Sequence, residues 1–591
     1  MNRPESHGSG IRHAVGLIRD LPKLLPRART SPARLMQKWA RQAPERLALR
    51  YRDQAFTWGE FYERARHYAA WFSREGVGAG DVVALLMDNR PDYLFAVMGL
   101  SELGAASSLI NTNVRGRALV HALRACHARK LLAGGEHLDA AQEVAAELDH
   151  FSPEKDLYLQ LEDDQGPSAG YHVINDEVRR ADAVAPLSTH SPRNEDIFSF
   201  IYTSGTTGLP KAAIIRNQRM LGASVLCGRL MHRCGPGDLI YAPLPLYHSS
   251  AMFLGWGAAL VTGAALGLRR KFSASEFWDD VCRFDASSFL YIGELCRYLL
   301  NTPSKPAERA HRVRVCVGNG MRPDIWERFQ ERFGIPIVRE FYGATEGNTA
   351  VMNLQGRPGM IGRLRRGQVI VRCDPASGEI ERNAEGRCEA VRAGEVGLLL
   401  ARISAVLSFD GYVDKEATQK KIVGDVLKRG DRYFNTGDLI QLHDDRWLSF
   451  ADRVGDTFRW KGENVSTTEV AELLSDAGEV LEANVYGVEI PDMEGRAGMA
   501  ALRVGIDFEL ERFAEFVGRE LPKYQRPLLL RILQGEMRVT GTFKHMKVDY
   551  RTQGFDPEKV TDPLYVLQDG RYVLLDADLF ARITRGEIMP G

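Results

Sequence analysis

The sequence predicts an α/β protein: a large N-terminal domain, in which helices cover mostly parallel sheets, followed by a small α+β domain. At 591 residues the chain is too long for a single core. Helix and strand patterns alternate through the first several hundred residues, which is typical of parallel sheets covered by helices. The composition changes near Asp452, and a short set of elements follows. We therefore predict a basic segment at 1–30, a large domain at 31–452 and a small domain at 453–591.

The first elements of the large domain carry clear local signals. Thr57 and Glu60 form a capping box, which predicts the start of a helix. An apolar stripe continues that helix to a stop at Gly76, through Phe61, Ala65, Tyr68, Ala69 and Phe72. The patterns that follow predict a strand at 81–87, a helix at 91–103 and a strand at 105–110, with another helix and strand within 115–134.

Later segments are predicted in the same way. Residues 150–195 are polar and indicate a surface excursion. The uncharged run 251–268 is near the length of a membrane span, but its four glycines and the basic residues after it favour a buried helix, a turn at Gly263 and a strand. A helix is predicted near 289–300 and a strand at 335–339. In the small domain we predict helices at 467–476 and 509–519, and strands at 483–488, 497–504 and 528–533.

Composition excludes several classes of protein. Lys plus Arg and Asp plus Glu are equal at 77 each, so no overall charge favours a nucleic-acid partner. Eight cysteines lack C-x-x-C spacing, which argues against zinc and against a disulfide framework, and fits a reducing cytosol. No secretory signal is apparent. Residues 1–34 are basic, and Ile11, Val15 and Ile18 share a helical face before Pro22. A membrane-surface segment and a frayed basic tail both remain open.

The most informative stretch is 202–211, Tyr-Thr-Ser-Gly-Thr-Thr-Gly-Leu-Pro-Lys. Glycines let backbone N–H groups approach an anion, hydroxyls donate to phosphate oxygens, and Lys211 adds positive charge. The spacing differs from a Walker A loop, and apolar runs on both sides predict that this loop joins two strands. We interpret it as a polyphosphate-binding loop, with Thr203, Ser204, Gly205, Thr206, Thr207, Gly208 and Lys211 as its candidate residues.

Five further segments carry candidate chemistry. The segment 341–348 follows a predicted strand and contains Glu346, whose carboxylate suits Mg²⁺. Tyr342, in the same segment, offers a flat face to a nucleotide base. The glycines within 317–320 allow the backbone there to approach a flat group of a ligand. Asp438 follows a predicted tight turn at 435–437. Charged, glycine-rich residues lie at 452–456 and 461–464, and Lys544 lies near the end of the small domain. His248 suggests a hydrolase, but the chain lacks a G-x-S-x-G elbow, so we place His248 at a pocket mouth.

Taken together and in this order, these segments resemble the adenylate-forming superfamily of acyl-CoA synthetases, adenylation domains and luciferases. The resemblance runs from about residue 30 to the C-terminus. Within the superfamily, 318–323, 342–348, 453–465 and 540–544 are similar to the fatty-acid transport protein and very-long-chain acyl-CoA synthetase branch. Gly455 stands where most of the superfamily has Asp or Lys. The resemblance implies a barrel-like part in the large domain and a mobile small domain.

The resemblance also implies a role for each position. The loop 203–211 would hold the ATP phosphates, and Gly318, Asn319, Tyr342 and Gly343 would frame adenine. Thr345 would touch the α-phosphate, Glu346 would bind Mg²⁺, and Asp438 and Arg453 would hold the ribose. Lys544 would be catalytic in adenylation, Gly455 would be the hinge, and Lys461, Gly462 and Glu463 would form a loop on the CoA side.

The implied activity is ATP-dependent ligation of a long- or very-long-chain fatty acid to CoA through an acyl-adenylate, with ATP, Mg²⁺ and CoA required. Alternatives are a ligase for a steroid, bile-type or aromatic acid, a fatty-acid uptake protein that traps its substrate by acylation, and an acyl-AMP ligase that does not use CoA. The expected location is cytoplasmic, with peripheral attachment to the inner face of a membrane as a variant. A membrane surface and a second copy of the chain are further candidate partners.

Overall fold

The computed structural model describes residues 16–18, 20, 24–25, 28–145, 147–148, 151–162, 172–182, 191–203, 209–375, 377–404, 408–460, 463–491, 493, 495–537 and 547–590. The chain divides into two compact units. The first unit comprises Met1–Gly359 and Ser404–Lys421, and the second comprises Met360–Ile403 and Ile422–Gly591. The predicted boundary at Asp452 stays a prediction, and the two units are described in turn.

A seven-stranded sheet forms one layer of the first unit, in the order β7-β6-β5-β3-β4-β8-β9. Its strands are β3 (Val82–Leu86), β4 (Ala106–Leu109), β5 (Lys130–Gly134), β6 (Leu157–Gln160), β7 (His172–Val173), β8 (Ile197–Thr203) and β9 (Lys211–Arg216). All neighbours are parallel except β8 and β9, which form an antiparallel pair. Strands β4, β5 and β6 are buried along their whole length, as expected for parallel strands covered on both faces.

An eight-stranded sheet forms the second layer, in the order β15-β14-β13-β12-β10-β11-β1-β2. Its strands are β1 (Leu47–Tyr51), β2 (Gln54–Thr57), β10 (Leu239–Ala242), β11 (Ala265–Leu268), β12 (Ser288–Ile292), β13 (Val315–Asn319), β14 (Val338–Gly343) and β15 (Ala350–Asn353). The six central strands are parallel and the two edge pairs antiparallel. The predicted α/β class, with mostly parallel sheets, is confirmed.

Helices connect and cover these strands. They are α1 (Pro32–Gln42), α2 (Trp58–Arg74), α3 (Pro91–Leu103), α4 (Gly116–Ala125), α5 (Leu138–Ala145), α6 (Pro153–Asp156), α7 (Asn175–Arg180), α8 (Asn217–Leu226), α9 (Ala258–Thr262), α10 (Phe277–Arg283), α11 (Gly293–Asn301), α12 (Pro323–Phe333) and α13 (Lys415–Lys420). The capping box at Thr57 is confirmed, with both of its hydrogen bonds present. Helix α3 is almost entirely buried and packs so closely on α2 that a Cβ on Gly99 would lie 2.8 Å from a backbone oxygen of α2.

Three sequence predictions change in detail, and a fourth, the buried helix, turn and strand at 251–268, is confirmed. The predicted excursion at 150–195 contains β6, a buried strand of the sheet. The predicted helix at 289–300 starts as strand β12, and only α11 is helical. Strand β14 starts at Val338 and runs on through Gly343, because the polar residues after 339 pair with β15. The run 251–268 folds as a π-helical segment (Ser250–Gly257), α9, a left-handed Gly263 and β11.

The N-terminal residues that the structure describes are held against the first unit. The carboxylate of Asp20 is 5 % exposed and accepts hydrogen bonds from the Arg229 guanidinium at 3.1 and 3.2 Å. Side-chain amides of Gln218 and Asn194 donate to the Leu24 and Leu25 carbonyls. Within the described part of the chain, no helix has both the length and the apolar character needed to traverse a bilayer.

The second unit has two larger sheets and a hairpin. The six-stranded antiparallel sheet, the barrel-like part of the fold, has strands β16 (Gly362–Arg363), β17 (Gln368–Val371), β18 (Val396–Arg402), β19 (Ile422–Gly424), β20 (Arg432–Leu442) and β21 (Trp447–Arg453). The hairpin is β22 (Phe458–Trp460) and β23 (Glu463–Val465). The five-stranded sheet has strands β24 (Val480–Val488), β25 (Ala497–Val504), β26 (Leu529–Ile532), β27 (Leu564–Gln568) and β28 (Arg571–Leu574).

The α-helices among the described residues of the second unit are α14 (Thr467–Ser475), α15 (Leu510–Glu520), α16 (Lys547–Gln553) and α17 (Ala577–Thr584). Side chains of the five-stranded sheet and these helices share one apolar core, which includes Val485, Leu502, Phe513 and Tyr550. The α+β character predicted for the C-terminal part of the chain follows from this arrangement, since its strands are mixed in direction and its helices pack on the sheet.

Candidate functional site

Candidate residues of the first unit lie at or just beyond the carboxyl ends of parallel strands. Gly318 and Asn319 end β13, Tyr342 and Gly343 end β14, and Thr203 ends β8. In open α/β sheets, this is the edge at which ligands bind. The candidate residues of the second unit, among them Asp438, Arg453 and Gly455, are described separately below.

Thr345 and Glu346 follow β14 directly. The Thr345 hydroxyl lies 3.1 Å from the Ser249 hydroxyl, which comes from the loop after β10. Glu346 is only 9 % exposed. Its carboxylate is therefore mostly buried and lies just beyond a strand end. Mg²⁺ prefers such oxygen ligands when phosphate groups supply the other ligands.

Arg219 holds the Thr345–Glu346 segment in place. This α8 side chain donates hydrogen bonds to the carbonyl oxygens of Ala344, at 2.8 Å, and Glu346, at 3.1 Å. Burial lowers the pKa of Arg219 to about 10, although the charges of Glu346 and Asp410 act in the opposite direction. The guanidinium remains cationic at neutral pH and fixes the backbone on both sides of Thr345.

Gly318 and Asn319 are shaped by close packing beneath them. A Cβ on Gly318 would lie 2.2 Å from the carbonyl oxygen of Tyr291, so the neighbouring strand requires glycine there. Below the loop, the buried carboxyl of Glu340 accepts hydrogen bonds from the Met321 N–H at 2.6 Å and the Tyr291 hydroxyl at 3.1 Å. Burial raises the pKa of Glu340 to about 8, and these hydrogen bonds moderate the increase.

The loop that carries His248 is anchored by Asn89. The Asn89 amide donates to the Leu244 carbonyl at 2.8 Å and accepts from the Leu246 N–H at 2.7 Å. The Nδ1 atom of His248 lies 3.4 Å from the Ser250 hydroxyl, where the π-helical segment begins. Since π-helical segments are frequent at functional sites, this geometry is compatible with the predicted place of His248 at a pocket mouth, which stays a prediction.

The predicted phosphate loop is described only at its two ends. Ser204, Gly205, Thr206, Thr207 and Gly208 lie outside the described residues. Thr203 and Lys211 are paired across the β8–β9 hairpin, which confirms that the loop joins two strands. The Lys211 ammonium lies 6.0 Å from the centroid of the Tyr412 ring, within the range of a cation–π contact.

Asp438 and Arg453 meet across β20 and β21 in the second unit. They are register partners, and the Arg453 Nε donates to the Asp438 carboxylate at 3.0 Å. The predicted tight turn at 435–437 is instead part of β20, where the register shifts and Gly437 has a φ of +76°. Such a bulge re-aims the following side chain. Asp438 is 4 % exposed, whereas half of the Arg453 side chain is exposed.

The predicted hinge at Gly455 has an unusual backbone conformation. Its φ is +82°, and no heavy atom lies within 4 Å of the position that a Cβ would occupy. Next to it, the Asp452 carboxylate accepts hydrogen bonds from the Thr457 hydroxyl at 3.1 Å and the Thr467 N–H at 2.8 Å. Glycine is therefore favoured here by the left-handed backbone and not by crowding.

Helix α16 is tied to the same segment. Lys547 and Arg551 approach the Asp456 carboxylate at 3.7 and 3.4 Å, and the Lys547 ammonium also donates to the Thr467 hydroxyl. Lys544 itself lies outside the described residues. Helix α16, which begins three residues after Lys544, is thus attached to the residues around the predicted hinge.

Glu463 opens strand β23, opposite Trp460, whereas Lys461 and Gly462 lie outside the described residues. A cavity of about 740 Å³ lies beside this hairpin, wholly within the second unit. Its lining includes Gly455, Phe458, Arg459, Met493 and Arg496. The cavity therefore combines apolar surface with two arginines, one of which, Arg496, lies 3.3 Å from the carboxylate of Glu489 in the same lining.

Arg219, Asn89 and Glu340 are site residues that the sequence analysis does not identify. Their partners are distant in sequence, since Arg219 reaches Ala344 and Asn89 reaches Leu244. A local motif cannot report such contacts. The Asn-Arg-Pro sequence at 89–91, which lies between strand β3 and the start of helix α3, is a local signal for Asn89.

Solved structures show the class of protein that has this fold. The chain matches the anthranilate CoA ligase AuaEII in complex with anthranoyl-AMP with a TM-score of 0.75 at 22 % identity, over 88 % of this chain and 97 % of that one. ATP-bound MatB from Rhodopseudomonas palustris matches with a TM-score of 0.73 at 20 % identity, over 88 % and 99 %. The fold is thus that of the adenylate-forming CoA ligases.

Sequence comparison makes the assignment more specific. Residues 36–400 match the model of the AMP-binding enzyme family, and this chain belongs to that family. It is 40 % identical over 560 residues to long-chain fatty acid transport protein 2 of Rattus norvegicus, which covers 92 % of this chain and 89 % of the rat protein. It is also 40 % identical over 548 residues to the medium/long-chain-fatty-acid–CoA ligase FadD6 of Mycobacterium tuberculosis, over 92 % of this chain and 89 % of FadD6.

Proposed function

We propose that this chain ligates a long- or very-long-chain fatty acid to CoA in two steps, through an acyl-adenylate. The observation that carries the proposal is its 40 % identity, over 92 % of its length, to a protein named as a medium/long-chain-fatty-acid–CoA ligase. The Thr345–Glu346 segment at the end of β14 supports it, because adenylation requires hydrogen-bond donors near the phosphates and a carboxylate that can hold Mg²⁺.

In the first step, a carboxylate oxygen of the acid attacks the α-phosphorus of ATP, and the bond to the bridging oxygen of pyrophosphate breaks. Two anions approach each other, so the barrier is largely electrostatic. Lys211 and the loop 203–208 would hold the β- and γ-phosphates, and Lys544 would bridge the carboxylate and the α-phosphate. Thr345, fixed by Ser249 and Arg219, would donate to an α-phosphate oxygen.

Glu346 fits a magnesium ligand, since one mostly buried carboxylate plus substrate phosphates is a common Mg²⁺ environment. The ion, when bound, would neutralise phosphate charge. Replacement Glu346→Gln should weaken the apparent affinity for Mg²⁺ while exposed Glu331→Gln leaves it unchanged. A Mg²⁺ titration of pyrophosphate release measures this, and equal Mg²⁺ dependence in both variants would remove Glu346 from the site.

Two sets of residues are proposed for the nucleoside part of ATP. Gly318 and Asn319 would present a backbone edge to adenine, with Tyr342 and Gly343 as its other boundary. Asp438 would accept from the ribose hydroxyls, and the Arg453 hydrogen bond orients that carboxylate. A carboxylate is the natural partner for two adjacent hydroxyl donors.

In the second step, the CoA thiol attacks the acyl carbon, AMP leaves and the thiol proton is released. Glu463, Lys461 and Gly462 would form the CoA side, with Gly455 as the hinge that exchanges Lys544 for this face. The cavity lined by Arg459 and Arg496 offers guanidinium groups suited to the phosphates of CoA, although Arg496 also pairs with Glu489 of the same wall.

Peripheral membrane contact is proposed for the N-terminal segment. Ile18 and Leu25 are 67 % and 62 % exposed, although nearby Asp20 is buried against the first unit. Exposed apolar side chains in a basic segment favour a bilayer surface. We place the protein in the cytoplasm, peripheral on the inner face of a membrane. The fraction of protein that floats with anionic vesicles should decrease in the Ile18→Asp variant.

We also propose a homodimer, which light scattering would detect as a doubled molecular mass.

One experiment tests the central proposal. Purified protein is supplied with Mg²⁺ and ATP, a panel of acids from short to very long chain, and CoA in half of the reactions. We expect AMP only with long acids, and acyl-CoA only when CoA is present. Absence of AMP with every acid would refute the proposal. A preference for aromatic or steroid acids would select that alternative, and activity without use of CoA would identify an acyl-AMP ligase.

A further inference from the structure

A second cavity lies within the first unit, at the β1–β2 hairpin. Its volume is about 590 Å³, in the range of small-molecule sites. The start of α3 and the helix α7 complete its walls. None of the residues predicted for ATP, acyl or CoA binding lines it.

The cavity has cationic walls. Arg52, Arg64, Arg90 and Arg179 line it. Arg52 is half exposed, Arg64 is also exposed, and Arg90 is buried, with 1 % of its surface accessible. Charge is therefore present both at the mouth and at the deep end. Guanidinium groups recognise carboxylates with paired, directional hydrogen bonds.

The acidic side chains around the cavity already have partners. Asp53 lies 3.2 Å from the Arg283 guanidinium. Glu162 accepts from the Tyr51 hydroxyl at 2.8 Å and from Arg270 at 2.7 Å. Asp92 accepts from the Tyr68 hydroxyl at 2.8 Å, and burial raises the pKa of its carboxyl. Three of the arginines also contact carboxylates, since Arg52 pairs with Glu162, Arg90 with Glu136 and Arg179 with Asp176. The lining itself holds four arginines against three carboxylates, so its net charge still favours an anion.

Buried polar atoms at the deep end lack partners. The Arg90 Nε and the Gln160 side-chain oxygen, both in described residues, have no hydrogen-bond partner there, although Gln160 is only 5 % exposed. Leaving a buried polar atom unsatisfied costs about 1–3 kcal/mol. A carboxylate with its hydration water supplies an acceptor for Arg90 and a donor for Gln160.

One wall of the cavity is apolar. Phe56 and Phe95 meet edge to face, with ring centroids 5.3 Å apart, and Leu161 and Val178 extend this surface. An inorganic anion would leave this apolar wall of the cavity exposed to water. The combination of arginines and aromatic surface suits an organic anion with an apolar body.

A metal ion does not fit the acidic group next to this cavity. Asp88, Glu136 and His137 are near enough to share an ion. However, Asp88 already contacts Arg270 at 3.1 Å and Lys271 at 3.2 Å, and Glu136 contacts Arg90. These cations occupy the carboxylates and stabilise the deep end without a metal.

We propose that this cavity binds an amphipathic carboxylate of the fatty-acid class, at a site separate from the one proposed for catalysis. The carboxylate would meet the arginines, and the alkyl chain would lie against Phe56 and Phe95. This assignment rests on the lining alone and does not require the proposed function.

Calorimetric titration of the full chain with laurate tests the proposal. The catalytic site is first saturated with a non-hydrolysable lauroyl-adenylate analogue. We expect one equivalent of laurate to bind still, and dodecylamine not to bind. Affinity should decrease at least tenfold in Arg64→Glu, which changes an exposed side chain, and in Ala55→Trp, which fills the mouth. Arg117→Glu, exposed on α4, is the matched control and should bind as the unmodified protein does.

The outcomes separate this proposal from the proposed function. No laurate binding beside the analogue, or equal binding in all variants, would overturn the cavity assignment. If the protein forms no AMP and the analogue does not bind, the Arg64-sensitive equivalent should still be present. Thermal unfolding of each variant verifies that the fold is retained.

Discussion

The hydroxyl oxygens of Ser249 and Thr345 lie 3.1 Å apart. This contact joins the loop after β10, which also carries His248, to the segment after β14, which carries Glu346. The groups proposed for the acid and for the phosphates are thus mechanically connected within the first unit. A change in one loop should alter the position of the other.

Arg219→Gln should impair adenylation without removing any group that touches substrate. The variant loses two charge-assisted hydrogen bonds to the carbonyls around Thr345, each worth about 1.5–3 kcal/mol. We expect kcat for pyrophosphate release to fall by roughly ten- to a hundredfold, with a smaller effect on the KM for the acid. Arg216→Gln, which loses the pair with Asp410 and the hydrogen bond to the Glu195 carbonyl but neither of the Arg219 hydrogen bonds, is the control. Equal kcat in the two variants would argue against a positioning role.

Asp438→Ala should weaken ATP binding through the ribose. If the carboxylate accepts from the ribose hydroxyls, the unmodified protein should discriminate against 3′-deoxy-ATP, and the variant should not. The expected increase in the KM for ATP is roughly tenfold to a hundredfold. Steady-state kinetics with both nucleotides measure this, with Asp444→Ala as an exposed control. Discrimination that persists in the variant would place the ribose elsewhere.

Lys544→Ala should abolish formation of the acyl-adenylate but leave thioester formation from supplied acyl-adenylate and CoA. The reason is that the charge is needed only when the carboxylate and the α-phosphate meet. Lys523→Ala, an exposed lysine of the second unit, serves as control. Adenylate formation at an unchanged rate would refute the assignment of Lys544.

Gly455→Ala tests the hinge more cleanly than proline would. With φ at +82°, proline cannot adopt the native backbone at all, because its ring holds φ near −65°. Alanine fits sterically but costs about 1–2 kcal/mol in the left-handed region. We expect thioester formation to slow more than adenylation, measured as separate half-reactions. Similar losses in both would exclude a hinge at this residue.

Glu340 predicts a pH dependence of stability. Its pKa is raised from 4.5 to about 8 in the folded protein, so between these values the folded state binds a proton that the unfolded state has released. The free energy of unfolding should therefore fall as pH rises from about 4.5 to about 8, by at most about 1.4 kcal/mol per pH unit from this group.

Glu340→Gln keeps a carbonyl acceptor for the Met321 N–H but does not titrate. Denaturant unfolding across this pH range should give a flatter profile for the variant than for the unmodified protein. Glu331→Gln, on an exposed face of α12, controls for general charge effects. Parallel profiles for all three proteins would mean that Glu340 is not protonated in the fold.

Features encoded by neighbouring residues could be predicted from the sequence. The capping box at Thr57 and the strand-to-strand loop ending at Lys211 are examples, since each depends on residues within one turn or hairpin. The strand predicted at 335–339 misses the end of β14, because the glycine and small polar residues that begin at Gly343 indicate a loop, and the pairing of 340–343 with β15 is not visible in the local sequence. The raised pKa of Glu340 and the contacts of Arg219 depend on partners far along the chain, which no local pattern reports.

The buried pair between Asp20 and Arg229 has a practical consequence for expression of the protein. A truncated form that begins at helix α1 would lack Asp20 and leave the Arg229 guanidinium without its counter-charge. Its other hydrogen bond among the described residues goes to the neutral Val261 carbonyl, at 3.3 Å. Uncompensated buried charge is strongly destabilising. Shortened versions made to remove the basic N-terminal segment should therefore give a lower expression yield and a lower Tm, unless Arg229 is replaced by a neutral residue at the same time.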